Sequence, residues 1–123
     1  MIRSLLLVAL GGAVGSAGRY LVSLIGGTSL PWGTFAVNIV GSLLIGFLTG
    51  MLGKGILSPE MKLLLITGFC GGFTTFSTFA AESLSMMKVG DVVLTALYIG
   101  ASVVVGIVAV WLGMQASTAI TAS

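Results

Sequence analysis

The stretch Gly68-Phe69-Cys70-Gly71-Gly72-Phe73-Thr74-Thr75-Phe76-Ser77-Thr78-Phe79 decides how this chain folds. It lies in the middle of an apolar segment that is long enough to cross a membrane, yet it contains a Gly-Gly pair and four hydroxyl side chains. A helix that only anchors a protein in lipid needs none of these groups, because every polar group in hydrocarbon must find a partner. We therefore expect the function to reside in this stretch.

The composition of the whole chain indicates the class of protein. Of 123 residues, 57% are hydrophobic and 7% are charged, whereas soluble domains carry about 25% charged residues. A soluble fold of this length cannot hide so much apolar surface, because a small domain buries only about two-thirds of the surface that its unfolded chain exposes. The sequence predicts an all-α protein that passes several times through the lipid bilayer of the cell membrane.

Charge and cysteine content exclude several functions. The net charge is +2 and no basic patch is present, so no nucleic-acid partner is expected. A single cysteine and no histidine rule out a disulfide within the chain, a Cys/His zinc site and a histidine-based catalytic pair. Cys70 has no nearby base and is interpreted as a small packing residue. No enzymatic activity is expected.

Four segments are long and apolar enough to span a membrane, at about 3–25, 32–53, 60–87 and 92–116. Turn signals separate them at 26–31, 53–59 and 88–91, and no linker is long enough to hold a further domain. The sequence therefore predicts one four-helix transmembrane domain. Ser58 is a candidate N-cap before Pro59, Asp91 is another, and Pro31 suits the first turn of the second helix.

The basic residues hardly distinguish the two sides of the membrane. Arg3, Lys54 and Lys62 fall on one side, whereas Arg19 and Lys88 fall on the other. The positive-inside rule then gives almost no preference. Two interpretations are open: a weakly determined single topology, or dual topology, in which copies insert both ways and pair antiparallel.

Small residues recur at helix-packing distances in the first two spans. Glycine pairs such as Gly11 and Gly15 let two helices approach closely in lipid, and Gly41, Gly46 and Gly50 continue the pattern in the second span. Tight packing is the expected role of these glycines. Four such helices leave little room for an internal pathway in a monomer, which favours an oligomer.

The third segment is too long and too irregular for a simple span. From Glu60 to Lys88 it would measure about 43 Å as a continuous helix, against a hydrocarbon core of about 30 Å. Glycines and β-branched threonines at Gly71–Thr75 lower the helix propensity at its middle. A break there would free backbone groups for ion binding at the membrane midplane. The alternative is a continuous helix whose hydroxyls bond back to its own carbonyls.

Polar and aromatic side chains within the spans suggest a pathway for a small anion. Arg19 either reaches the membrane surface or forms a positive vestibule, and Asn38 forms an interhelical hydrogen bond or lines a pore as a donor. Phe76 and Phe79 share a helix face, where they either pack or offer their electropositive edges to an anion. Thr75, Thr78 and Glu82 form a neighbouring stripe, and Thr95, Tyr98 and Ser102 form a hydroxyl track beside Gly106.

The stretch Gly68–Phe79, followed by Glu82, resembles the signature of the Fluc (CrcB-like) fluoride channels. Gly11-Gly12-x-x-Gly15-x-x-x-Arg19 and Gly33-Thr34-x-x-x-Asn38-x-x-Gly41 are similar to two further motifs of that family. The match covers the whole chain, and the third-span motif is highly specific. The resemblance implies an antiparallel, dual-topology homodimer with two separate pores, which exports cytoplasmic fluoride passively and excludes chloride.

The resemblance also implies roles for single residues. A structural Na⁺ would lie at the dimer centre, held by backbone carbonyls of Gly71 and Thr74 from both subunits. The fluoride pathway would involve the aromatic pair Phe76 and Phe79, the amide of Asn38, the hydroxyls of Thr75, Tyr98 and Ser102, the carboxylate of Glu82, and Arg19 at the entrance. Gly106 departs from the family pattern, because members can carry a further hydroxyl there.

Two other classes remain as alternatives. A small dual-topology, proton-coupled multidrug exporter has a similar size, but it needs a membrane-embedded acid in its first span, and this chain has none there. A non-transporting scaffold subunit would have no use for the hydroxyl-rich break.

Overall fold

Helices make up the whole regular structure of the residues that the computed structural model describes, 1–24 and 31–121. They are α1 (Ile2–Ser23), α2 (Trp32–Gly53), α3 (Pro59–Met61), a π-helix (Lys62–Cys70), α4 (Gly71–Phe73), α5 (Ser77–Lys88) and α6 (Val92–Thr121). The third span, Pro59–Lys88, combines α3, the π-helix, α4 and α5. The predicted turn at 26–31 lies outside the described residues except for Pro31, as does Ile25 at the end of the first predicted span.

Helices occupy the four predicted segments, with small shifts at their ends. The second span has the predicted bounds, while α6 continues to Thr121, beyond the predicted end at 116. All four spans, Ile2–Ser23, Trp32–Gly53, Pro59–Lys88 and Val92–Ile120, have the length and apolar composition needed to cross a membrane. Large apolar side chains on their outer faces are exposed, as expected for surfaces that meet lipid.

Local sequence signals explain where the helices begin. Ser58 caps the third span, because its Oγ accepts a hydrogen bond from the N–H of Met61 at 3.2 Å and Pro59 follows at the first helical position. Asp91 directly precedes α6, as predicted. Pro31 was expected within the first turn of α2, but it lies one residue outside the helix, where its carbonyl accepts the N–H of Phe35 at 3.1 Å.

Glycines bring the helices into backbone contact in two pairs. A Cβ atom at Gly11 would overlap the carbonyl oxygen of Leu64, so α1 lies directly against the π-helix. A Cβ atom at Gly46 would overlap the carbonyl oxygen of Val110, which places α2 directly against α6. The packing role predicted for these glycines is therefore confirmed.

The first half of the third span is wound unusually. Lys62–Cys70 forms a π-helix, in which each N–H bonds five residues back instead of four, and such segments are rare and associated with functional sites. Gly68 and Cys70 on this segment are buried. The wide turn continues into α4, whose Gly72 lies against the backbone of Gly12 in α1. The π-helix and α4 thus both pack closely against α1.

Candidate functional site

The third span breaks at Thr74, Thr75 and Phe76. Thr74 has an extended backbone (φ −87°, ψ 159°), and Phe76 returns to helical angles before α5 begins at Ser77. The predicted break is confirmed, but it begins later than expected, because Gly71–Phe73 is still helical. The N–H and the hydroxyl of Thr74 both donate to the carbonyl of Cys70, at 3.0 and 2.8 Å, and these two bonds close the last turn of the first half.

Side chains replace the backbone hydrogen bonds that the break removes. Asn38 of α2 donates from Nδ2 to the carbonyl oxygen of Thr75 at 3.1 Å, and its Oδ1 accepts the N–H of Thr75 at 2.9 Å. The hydroxyl oxygen of Thr75 accepts the N–H of Thr78 at 3.2 Å, which caps the start of α5. The interhelical role considered for Asn38 is thus present. An Asn amide has two N–H groups, so one donor remains for another partner.

Arg19 of α1 contacts the helical turn that directly precedes the break. Its Nε donates to the carbonyl oxygen of Gly72 at 3.1 Å, and the side chain is half-buried. The C-terminal end of a helix carries partial negative charge, so a guanidinium stabilises it there. Arg19 therefore contacts the end of the first half-helix, and its side chain is held inside the bundle.

A groove of about 590 Å³ opens in front of the break. Asn38 and Ser42 of α2 form one wall, and Ser102 and Val103 of α6 contribute to the other. The remaining lining residues come from the second helix and from the third span: Gly41, Ile45, Ile66, Thr67, Cys70, Gly71, Thr74, Thr75, Phe76 and Phe79. Polar and apolar side chains therefore alternate around one open surface.

Aromatic rings extend from this groove toward α6. Phe76 and Phe79 have ring centroids 6.0 Å apart with planes tilted by 52°, and Phe79 lies 5.1 Å from Tyr98. Phe76 is 79% exposed in the single chain, so its ring packs little within that chain. Phe76, Phe79 and Tyr98 thus form an aromatic row. The Tyr98 hydroxyl donates to Oε1 of Glu82 at 3.3 Å, which links this row to the carboxylate on α5.

The groove contains a buried hydroxyl, on Ser102, that is unpaired among the described residues. The Oγ of Ser102 is buried and forms no hydrogen bond with any residue in the described ranges. A buried hydroxyl without a partner costs about 1–3 kcal/mol, so such groups usually meet a water or a ligand. By contrast, the hydroxyl of Thr95 donates to the carbonyl of Asp91 at 2.7 Å, which removes Thr95 from the proposed hydroxyl track as a free donor.

Known proteins are similar to this sequence over nearly its whole length. A family model described as "CrcB-like protein, Camphor Resistance (CrcB)" matches residues 6–114. The chain belongs to the CrcB-like protein family.

Several curated relatives of this CrcB-like chain carry the name "Fluoride-specific ion channel FluC". The protein from Methylobacillus flagellatus is 51% identical over 116 residues, covering 89% of this chain and 91% of the relative. The protein from Chlorobium phaeobacteroides (strain BS1) is 47% identical over 116 residues, with 91% of both chains covered. The protein from Agrobacterium fabrum is 50% identical over 113 residues, covering 88% and 90%.

Membership in this family agrees with the class predicted from the sequence. The relatives are named as ion channels, and the chain itself is a multi-pass cell-membrane protein without enzymatic function. The likeness to the Fluc family noted in the sequence is thereby confirmed.

The ten residues to which the resemblance assigns a role in ion binding or transport divide into two groups. Seven of them line the groove of this CrcB-like chain: Asn38, Gly71, Thr74, Thr75, Phe76, Phe79 and Ser102. Tyr98, Glu82 and Arg19 do not line it. Tyr98 is connected to the groove through its ring contact with Phe79, and Glu82 through its hydrogen bond with Tyr98.

Sequence reasoning missed two hydroxyl residues of the groove, Ser42 and Thr67. Ser42 lies four residues after Asn38 on α2, so helical spacing alone would have placed both on one face. Thr67 stands on the π-helix, whose altered period hides its direction from an α-helical pattern.

The break also has features that suit a bound cation. The described residues contain no cluster of His, Cys, Asp or Glu side chains that could hold a metal. Among them, no backbone hydrogen bond reaches the carbonyl oxygens of Gly71 and Thr74. Backbone carbonyls at a half-helix C-terminus are suitable ligands for Na⁺, because a hard cation prefers oxygen and is stabilised by the negative end of the helix.

Proposed function

We propose that this chain forms a fluoride-selective channel that lets cytoplasmic fluoride leave the cell down its electrochemical gradient. The observation that carries the proposal is the name "Fluoride-specific ion channel FluC" on relatives that are about half identical over nearly the whole chain. The groove supports it independently, because among the described residues its lining includes hydrogen-bond donors and aromatic rings but no acidic side chain.

The donors of the groove suit a small, strongly hydrated anion. The unused N–H of Asn38 and the hydroxyls of Thr75 and Ser102 can each donate to fluoride in place of water. The edges of the Phe76 and Phe79 rings are electropositive and can meet an anion without binding it too tightly. Chloride is larger and forms weaker hydrogen bonds, so it would regain less of its hydration energy in the same groove.

Glu82, Tyr98 and Arg19 would act at the border of this pathway. Tyr98 would turn its ring toward Phe79 and its hydroxyl toward Glu82, which would hold that part of the aromatic row in place. Arg19 would add positive charge near the break and thereby attract anions toward it.

The working unit would be an antiparallel homodimer with two pores. In the single chain the groove is open to one side, and Phe76 and Gly71 at its edge are exposed. A second copy of the chain would cover this face and close the groove into a pathway. The near balance of basic residues on the two sides would allow copies to insert in both directions.

A Na⁺ ion would hold the centre of this dimer. The carbonyls of Gly71 and Thr74 from each copy would supply its oxygen ligands, and the ion would offset the cost of leaving these carbonyls unpaired in the membrane. The cation would thus have a structural role and would not move with fluoride.

Reconstitution into liposomes tests the proposed function directly. Purified protein is incorporated into vesicles loaded with fluoride or with chloride, and efflux is followed with the matching ion-selective electrode. Fluoride efflux without chloride efflux is the expected result. Efflux of neither ion would refute the proposal, and equal efflux of both would refute its selectivity.

Topology tests the antiparallel arrangement separately. A tag at the C-terminus is expected to be accessible from both faces of the membrane in cells. A tag found on one face only would exclude dual topology and leave the channel function untouched. The proton-coupled exporter is not favoured, because α1 carries no acid to bind a proton and the relatives are named as channels.

A further inference from the structure

The hydroxyl track on α6 lacks a member at one position. Tyr98, Ser102 and Gly106 follow each other at four-residue intervals, so they lie on one face of the helix about 6 Å apart. The first two carry hydroxyl groups, while Gly106 carries no side chain. An anion that moved from Ser102 along this face would therefore meet no donor from α6 at the next turn.

A hydroxyl from another helix lies at this position. A Cβ atom placed on Gly106 would have a single neighbour within 4 Å, the Oγ of Ser42 at 3.8 Å. Ser42 belongs to α2, one turn beyond Asn38, and it lines the groove together with Asn38 and Ser102. The absent side chain on α6 thus leaves a space into which the α2 hydroxyl points.

We propose that Ser42 is a donor on the ion pathway and takes the place of the side chain that Gly106 lacks. The inference rests on the proposed function and deepens it, because it assigns a further selectivity residue to the same groove. Fluoride would pass from the Asn38 amide and the Ser102 hydroxyl to the Ser42 hydroxyl. Ile45 and Ile66, which also line the groove, offer no hydrogen bond of their own beyond that point.

The surroundings of Ser42 favour this role over simple packing. Its side chain is half-buried and lines the groove, and its Oγ would lie 3.8 Å from a Cβ atom on Gly106 of α6. Elsewhere on α2, residues facing α6 meet backbone directly: Gly46 allows no side chain against Val110. Between Ser42 and Gly106, by contrast, the two helices leave room for a Cβ atom.

Removing the hydroxyl tests the proposal. Ser42→Ala is expected to slow fluoride efflux from liposomes about tenfold, the effect of losing one hydrogen bond to a charged group. Ser85→Ala, which removes an exposed hydroxyl on α5 outside the groove, serves as the matched control and is expected to conduct like the unaltered chain. Efflux rates are normalised to the amount of protein incorporated.

Moving the hydroxyl across the groove separates an ion contact from packing. The double variant Ser42→Ala with Gly106→Ser returns a hydroxyl from α6, where a Cβ atom would lie 3.8 Å from the Oγ of Ser42, an ordinary van der Waals distance. Recovery of most of the lost flux is expected. The variants Ser42→Thr and Ser42→Val have side chains of the same shape, which differ in that Thr has a hydroxyl where Val has a methyl group. Fluoride efflux is therefore expected to be about tenfold slower in Ser42→Val than in Ser42→Thr. This comparison tests the proposal if the Ser42→Ala protein does not reconstitute into liposomes.

The outcomes distinguish this inference from the function on which it rests. If the unaltered chain conducts no fluoride, the proposed function fails and the role of Ser42 fails with it. If the unaltered chain conducts and Ser42→Ala conducts equally well, only the role of Ser42 is overturned. Slow flux in Ser42→Ala that Gly106→Ser does not restore, with Thr and Val at position 42 alike, would show a packing role and also overturn it.

Discussion

The side chain of Asn38 pairs with both backbone groups of Thr75. Its Nδ2 donates to the carbonyl oxygen at 3.1 Å, and its Oδ1 accepts the N–H at 2.9 Å. The amide therefore takes the place of the helical hydrogen bonds that Thr75 loses at the break. One side chain of α2 thus stabilises the irregular backbone and presents its remaining N–H to the groove.

Two substitutions of Asn38, to Leu and to Asp, are expected to abolish fluoride efflux but to lower the melting temperature by different amounts. Asn38→Leu leaves the N–H and the carbonyl of Thr75 unpaired, at a cost of about 1–3 kcal/mol for each group. Asn38→Asp keeps an acceptor for the N–H of Thr75 but removes every donor. We expect the Leu variant to have the lower melting temperature in detergent and both variants to lose fluoride efflux.

Gln115→Leu is the matched control for Asn38→Leu, because it removes an exposed amide near the far end of α6. It should leave both the melting temperature and the efflux unchanged. If Asn38→Leu behaved like this control, the bridge to Thr75 would have no part in holding the break.

The aromatic pair is expected to act on the ion rather than on the fold. Phe76→Ile should reduce fluoride efflux about tenfold, the effect of losing about 1.4 kcal/mol of ion contact, while the single chain keeps its fold. The reason is that Phe76 is 79% exposed in the single chain and supports little packing within it. Phe79→Ile should reduce efflux similarly and also lower the melting temperature slightly, because it removes the contact with Tyr98.

Phe35→Ile provides the comparison for the aromatic pair. The rings of Phe35 and Trp32 meet edge to face, with centroids 6.3 Å apart, and neither residue lines the groove. Normal efflux in this variant and loss in the other two would assign the effect to the position of the rings. Near-normal efflux in both Phe76→Ile and Phe79→Ile would remove the aromatic rings from the pathway.

The sequence predicted the spans and most of the groove, but not its finer geometry. Helix length and low helix propensity were enough to predict a break in the third span. They did not place it at Thr74, because that depends on the hydrogen bonds of Thr74 to Cys70. Likewise, the binding of Arg19 to Gly72 arises from tertiary packing between α1 and α4, which no pattern along one helix can reveal.

Gly15 tests the backbone contact between α1 and the third span. A Cβ atom there would overlap the carbonyl oxygen of Phe69 and lie 2.8 Å from the backbone nitrogen of Phe73. Because both neighbours are backbone atoms, Gly15→Ala must separate the two helices, at a cost of about 1–3 kcal/mol. We expect a clearly lower melting temperature in detergent.

Gly100→Ala is the control for Gly15→Ala, because a Cβ atom at Gly100 on α6 would meet nothing within 4 Å. This variant should melt at the same temperature as the unaltered chain or slightly above it, since alanine has the higher helix propensity. Equal melting temperatures for both variants would contradict the close contact of α1 with Phe69.

Sodium is expected to stabilise the assembly specifically. If Na⁺ binds the carbonyls of Gly71 and Thr74 only in the folded dimer, a concentration of about 100 times its dissociation constant adds about 2.7 kcal/mol of stability. The melting temperature should therefore rise with Na⁺ but not with N-methylglucamine at equal ionic strength, because N-methylglucamine is too large for a site between backbone carbonyls.

Two further measurements test the same site. When N-methylglucamine replaces Na⁺, fluoride efflux from liposomes and the dimer fraction in size-exclusion chromatography should fall together. Identical melting curves, dimer fractions and efflux in the two salts would exclude a structural cation at the break, and the carbonyls of Gly71 and Thr74 would then need another partner.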